Sequence, residues 1–148
     1  MVGGYNGDNL AEVEVVSLDP INNPVPPCLN NLKELPVALD AMAGATDEDG
    51  NPFICGGRSY PSTEYYDQCY KYDPQADSWE QHGTMPYKGA FMADIVVPGL
   101  GMVMVGAGNS YSNAGDEVIS TTDGVSFEEL APLPEPSSSG RYNSETRI

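Results

Sequence analysis

The same short phrase occurs three times along this chain, about 50 residues apart. "MVGG" ends at Gly4, "ICGG" at Gly57 and "MVGAG" at Gly108, each an apolar run closed by small residues. Two other markers keep step with it. "SLDP", "KYDP" and "TTDG" carry Asp19, Asp73 and Asp123, and "KELP", "GTMP" and "APLP" end at Pro36, Pro86 and Pro134. Three markers in one register identify a tandem array of small units, none of which buries its apolar surface alone. Such a chain has to fold by stacking like on like.

Each period reads as four short strands. In the middle one, residues 39–46 ("LDAMAGAT") are apolar and small, "DEDGN" supplies hairpin-turn chemistry, and "PFIC" runs into Gly56 and Gly57. "YYDQCYKYD" is rich in β-favouring aromatics, "PQAD" turns the chain, and "SWEQHG" forms a last strand before Pro86. The third period repeats the plan with "GAFMADIVV", the turn "PGLG", "MVMVG", a polar loop, "DEVISTT" and "VSFEEL". The first begins at its glycine pair and continues through "AEVEVVSL" into the irregular "PINNPVPPCLNNL". The units are therefore the back part of a truncated one (1–35), a complete one (36–85), a complete but degenerate one (86–133), and the opening of another or a disordered tail (134–148). A content of 16 Gly and 13 Pro suits that many tight turns better than long helices.

This arrangement resembles the kelch repeat over nearly the whole chain. Gly56, Gly57, Tyr72, Asp73, Pro74 and Trp79 match that family's pattern in order and spacing. The third copy has Gly106 and Ala107 for the glycine pair, Thr122 for the Tyr and Phe127 for the Trp. The first keeps Gly3, Gly4, Asp19 and Pro20, but has Leu18 at the Tyr position and no aromatic at the Trp position. The resemblance implies an all-β fold, a partial kelch-type β-propeller of four-stranded antiparallel blades. Each sheet is then expected to be apolar on both faces, sandwiched between neighbours. The glycines are expected to admit another backbone or to supply positive φ. Tyr72 and Trp79 are expected to pack between blades rather than to touch a ligand. A propeller closes with about four to eight blades, so the array is read as part of a longer ring whose remaining blades are its first partner. Assembly of several copies into one ring is the other route to closure.

Charge and composition exclude several functions. A formal net charge of −16, from 22 acidic against 6 basic residues, repels phosphate backbones and anionic lipid heads, so no nucleic-acid partner is expected. The best apolar window, "IVVPGLGMVMVGAG", is broken by Pro98 and glycines and is too short for membrane insertion. The start, "MVGGYNGDNL", lacks the pattern of a secretory signal, which would have to lie outside this chain.

The cysteines bear on compartment. Cys55 ends the second strand of the middle unit and Cys69 lies in its third. Folding the hairpin about the intervening loop sets residue 69 opposite residue 55 to within two positions, and directly paired residues are within reach of a disulfide. Closing a loop of about 15 residues stabilises by about 3 kcal/mol. Two free, buried thiols are the alternative. The pair is similar to the "CGG…C" variant of extracellular kelch-like proteins, which implies a secreted protein; a cytoplasmic one is the alternative. Cys28 is then unpaired, or paired outside the chain.

Little points to catalysis. His82 is the only histidine, and one His builds neither a linked Ser-His-Asp site nor a copper-radical or zinc centre. No cofactor and no metal are expected. "DEDGN" has Pro52 and Arg58 where a calcium loop needs Gly and Glu, so it reads as a turn. "STTDGVSF" is similar to the Asp-box of sialidase-type propellers but is one residue too short between Asp123 and Gly124. What remains are the loops between second and third strands, at 5–10, 58–65 and 109–116, which share Tyr, Ser, Asn and Gly. Arg58, Tyr60, Tyr65 and Tyr111 are the candidate contacts, with plain solvated loop residues as the alternative. The resemblance implies a non-enzymatic module that binds a protein partner. The alternative is part of a galactose-oxidase-like or sialidase-like enzyme whose catalytic residues lie outside this chain.

Overall fold

A computed structural model of the chain describes residues 2–13, 32–59, 61–62, 64–108 and 115–136. Among them there are strands, turns and bends and no helix. Strands β1 (Val2–Tyr5) and β2 (Asn9–Val13) form an antiparallel hairpin. Strands β3 (Ala43–Thr46) and β4 (Pro52–Cys55) are followed by a small two-stranded ribbon, β5 (Arg58–Ser59) and β6 (Glu64–Tyr65). Strands β7 (Gln68–Asp73) and β8 (Ser78–Thr84) complete a four-stranded antiparallel sheet in the order β3-β4-β7-β8. Strands β9 (Ala93–Val97), β10 (Gly101–Val105), β11 (Val118–Thr121) and β12 (Glu128–Glu129) repeat it, in sequence order. The β1–β2 hairpin corresponds to the second and third strands of the first unit.

The period-2 alternation of strand side chains sorts the core into two seams. Ile54, Tyr70, Tyr72 and Trp79 point from the middle sheet toward the first unit and bury against Val13, Leu35 and Leu39. Phe53, Cys55 and Cys69 point the other way, and bury against Met92, Met102, Met104 and Ile119 of the third unit. Trp79 and its counterpart Phe127 each pack on the seam shared with the preceding unit.

Backbone stitching explains the glycine marker. The N–H of Gly4 donates to Leu39 O at 2.9 Å, and the N–H of Gly57 donates to Gly89 O at 2.9 Å, so each glycine pair holds the segment entering the next unit. A Cβ on Gly3 would sit 2.7 Å from Leu39 O, and one on Gly56 would sit 2.5 Å from Gly89 O. Both glycines also have positive φ, +60° and +68°. Close approach and a left-handed backbone are thus both required at the same position.

The aspartate marker has a local cause too. Asp73 Oδ1 accepts the N–H groups of Gln75 and Ala76, and Asp123 Oδ1 accepts those of Val125 and Ser126. Each carboxylate closes the turn from the third strand to the fourth with Asx chemistry. These bonds hold the Asp123 carboxyl below its usual pKa.

Three readings need correcting. The first strands are shorter than 39–46 and "GAFMADIVV" suggested, because the chain kinks at Ala41 (φ 56°) and Phe91 (φ 59°) before pairing starts. Tyr65 belongs to the β5–β6 ribbon, not to the strand that carries Cys69. The third sheet is not covered throughout: Ile95 and Val96 of its edge strand β9 are each 61% exposed.

Candidate functional site

Alternating strand direction decides which loops share a face. The chain leaves β4 and β8 at the same edge of the middle sheet, so the 56–67 connection and the 85–92 connector emerge together. They are tied by backbone bonds: Met85 N–H to Asp67 O at 2.7 Å, Gly89 N–H to Tyr66 O at 3.1 Å, and Gly57 N–H to Gly89 O at 2.9 Å. Tyr66 N–H also donates to Gly57 O at 3.0 Å. Below this edge, Cys55 and Cys69 face each other in the β4–β7 ladder and are disulfide-bonded, with Cα atoms 4.1 Å apart. The loop therefore rises from a cross-linked base.

Between the ribbon and the connector lies an open groove of about 430 Å³, lined by Glu64, Tyr65, Tyr66, Gln68 and Lys88. Glu64 and Lys88 are exposed, while the two tyrosines and Gln68 are half-buried. The Tyr66 hydroxyl donates to Glu64 Oε2 at 3.3 Å. Gln68 Oε1 is buried and has no hydrogen-bond partner among the described residues. The hydroxyl of Tyr87, on the 85–92 connector, is likewise buried and without a hydrogen-bond partner among the described residues. Burial first, and then the nearby Glu117 and Glu129 carboxylates, push the Tyr87 pKa up to about 12, so it stays a neutral O–H. An unmade bond to a buried polar atom costs about 1–3 kcal/mol. The fold therefore carries two such atoms, one at the start of β7 and one on the 85–92 connector.

The candidate contacts fall in different places. Tyr65 lines the groove. Arg58 lies beside it but is occupied: Nε donates to Asp40 Oδ1 at 2.8 Å and Nη2 to Asp40 Oδ2 at 3.1 Å. Its guanidinium also stacks 4.7 Å from the Phe91 ring centre. Backbone bonds run both ways between Asp40 and Arg58, so this two-pronged pair pins the loop to the first-strand entry of its own unit and to that of the next. Tyr60, Tyr111 and Cys28 lie outside the described residues.

Elsewhere the polar chemistry is structural. The Tyr72 hydroxyl donates to Asp77 Oδ1 at 2.7 Å, and the Lys33 N–H reaches the same oxygen at 2.9 Å. Burial, then that bond to Asp77, pushes Tyr72 up to about 12. The Trp79 ring leans on Tyr72, centroids 5.3 Å apart, and its Nε1–H donates to Lys33 O at 3.1 Å. His82 is exposed in β8, at a bulge in the β7–β8 ladder. In the "DEDGN" turn, Asp47 Oδ1 accepts the N–H groups of Asp49 and Asn51, and Oδ2 pairs with Lys71 Nζ at 2.6 Å. Among the described residues no three His, Cys, Asp or Glu side chains converge as a metal-holding group.

No family model matches the chain, and no curated protein does. Among solved structures, one titled "Structure of YjhT" is similar with a TM-score of 0.71 at 15% sequence identity, over 93% of this chain and 49% of that one. The fold is that of a partial β-propeller. At that identity the likeness concerns the fold alone. The chain spans about half the length of the structure it matches.

Sequence reasoning missed Glu64, Tyr66, Gln68, Lys88 and Tyr87. It named the 58–65 loop, which holds Glu64, without choosing Glu64 as a contact, stopped short of Tyr66 and Gln68, and left out the connector between units that carries Tyr87 and Lys88. The signal was present in the strand count: with four antiparallel strands, both kinds of connection leave from one edge.

Proposed function

We propose that this chain is a non-enzymatic protein-interaction module, part of a kelch-type propeller, whose loop face carries the partner. One observation supports the reading above the others: the groove lined by Glu64, Tyr65, Tyr66, Gln68 and Lys88. It joins aromatic side chains and both signs of charge beside a loop anchored by a disulfide and by the Arg58–Asp40 pair. Rigid amphipathic tyrosines on a fixed scaffold give contact area at low entropy cost. The exposed Ile95 of β9, paired with Val103 on the face turned away from the middle unit, suits the seat of a further blade. The disulfide fits an oxidising compartment, and we assign the protein to the extracellular side on that ground.

A photo-crosslinking residue placed at Tyr65 tests this in extract from the producing cells. It should capture a defined protein that the same residue at Glu80, on a strand outside the groove, does not. Equal capture from both positions, or loss of none of it in a Tyr65→Ala, Tyr66→Ala protein labelled at Glu64, would overturn the reading.

A further inference from the structure

We infer that Asn6 is a self-modifying site: its side-chain amide cyclises onto the backbone nitrogen of Gly7, and the ring opens with water to aspartate and isoaspartate. The inference is independent of the interaction reading, although the site lies on the same loop face.

The first argument is the dipeptide. Asn6 is the only asparagine of the chain that precedes a glycine. Ring closure needs the nitrogen of the following residue to reach the asparagine Cγ, and a Cβ on that residue obstructs the approach. Gly7 has no Cβ, and its φ of +115° is one that other residues rarely adopt.

The second argument is freedom to react. Tyr5 pairs with Asn9 in the β1–β2 ladder, which leaves Asn6, Gly7 and Asp8 as an exposed hairpin tip. The Asn6 N–H donates to Asp8 O at 3.1 Å. The Asn6 side-chain amide and the Gly7 N–H, the two groups that react, have no hydrogen-bond partner among the described residues. The space beside Gly7 is also open, with no atom within 4 Å of the place a Cβ would take.

The third argument is contrast with related sites in the same chain. Asp49-Gly50 and Asp123-Gly124 are capable of the same ring closure, but the fold holds both. The Gly50 N–H donates to Asp47 O at 3.0 Å, and the Gly124 N–H donates to Thr121 Oγ1 at 2.8 Å. Their carboxylates are also weaker electrophiles than an amide at neutral pH. Asn51 precedes Pro52, whose nitrogen has no hydrogen to lose. Asn9 precedes Leu10, and its Nδ2 donates to Arg58 O at 2.8 Å.

The step consumes only water. The Gly7 nitrogen loses its proton to hydroxide and bonds to Asn6 Cγ, the Cγ–Nδ2 bond breaks, and ammonia leaves. Water then adds to either carbonyl of the cyclic imide. Breaking the new Cγ–N bond gives aspartate, and breaking the original backbone C–N bond gives isoaspartate. Either product adds a negative charge, and the second also lengthens the backbone by a methylene. The tip adjoins the β5–β6 ribbon through the Asn9–Arg58 bond, so the loop face changes charge and shape with age and without an enzyme.

The test is incubation of the folded chain at body temperature, at neutral and at mildly alkaline pH, with peptide mapping by mass spectrometry that separates aspartate from isoaspartate. Conversion should appear at Asn6 before any other asparagine or aspartate, and its rate should rise in proportion to hydroxide. It should lie within about three-fold of the rate in guanidinium-unfolded chain, since a loop tip has almost no opening free energy. Isoaspartate at Asp49 and Asp123 should appear only in the unfolded chain. Asn6→Gln, an exposed change that keeps the amide but demands a six-membered ring, should lose the conversion, and Gly7→Ala should slow it. Conversion at Asn6 in unfolded chain but not in folded chain, earlier conversion at another site of the folded chain, or a rate unchanged by Gly7→Ala overturns the inference.

Discussion

Reducing the Cys55–Cys69 bond isolates one term of the stability of this fold. The two cysteines are directly paired across β4 and β7, 14 residues apart in sequence, and are 1% and 0% exposed in the seam against the third unit. The strands stay hydrogen-bonded to each other and to β3 and β8 without the cross-link, so the reduced thiols remain buried in nearly the same packing. What changes is the unfolded chain, which gains the freedom of a loop of about 15 residues, worth about 3 kcal/mol. With a urea m-value of about 2 kcal/mol/M for a chain of this size, the unfolding midpoint should fall by about 1.5 M. The m-value should rise slightly, because the reduced unfolded state is more open. Urea unfolding followed by circular dichroism, with and without a phosphine reductant applied during unfolding and removed after refolding, measures both. Trp79 lies in the other seam, so its emission in the native state should not move on reduction. A midpoint shift below about 0.3 M would refute the staple argument, being roughly a fifth of the loop-closure value. A native-state change at Trp79 would refute the independence of the two seams.

Three other outcomes follow from single residues. Ion pairing with Lys71 and the turn bonds hold the Asp47 carboxyl at about 2, below its ordinary value of 3.8, so this group stabilises the fold above pH 4 and the contribution is lost as pH falls toward 2. Urea midpoints measured from pH 5 to pH 2 should therefore drop less steeply for Asp47→Asn than for the parent. Gly56→Ala should cost more than about 2 kcal/mol, since it adds a clash with Gly89 O to the left-handed strain, whereas Gly50→Ala, with φ of +84° and no atom near its Cβ, should cost only about 1 kcal/mol. Arg58→Lys should lose about 1–3 kcal/mol by thermal unfolding, because a single ammonium cannot reproduce both bonds to Asp40 and the stacking on Phe91.

The sequence made some of this plain for definite reasons. The repeat was legible because the same contacts recur at a fixed spacing: Gly3 and Gly56 meet equivalent carbonyls, and Asp73 and Asp123 close equivalent turns. The Cys55–Cys69 register was legible because a hairpin fixes which residues oppose each other. Arg58 was harder. A lone arginine in a Tyr-rich loop looks like a contact residue, yet its carboxylate partner is Asp40, 18 residues earlier, and its ring partner Phe91 belongs to the next unit. Pairings of that kind follow from strand direction and blade stacking, not from local pattern. The exposure of Ile95 and Val96 was also hidden, since an apolar strand reads the same whether or not anything covers it. Gln68 looked like an ordinary polar strand residue. Only the enclosure of its oxygen distinguishes it.

The chain has a single tryptophan, so its indole N–H gives one unambiguous NMR signal that reports directly on whether consecutive units are stacked. Trp79 is buried in the first seam and its Nε1–H is bonded to Lys33 O, on the segment that precedes the middle unit. Its hydrogen exchange in native buffer should be slowed by orders of magnitude relative to free indole, and released only with global unfolding. Exchange at the free-indole rate in the folded protein would contradict the stacking of fifty-residue units, and with it the loop face those units hold in place.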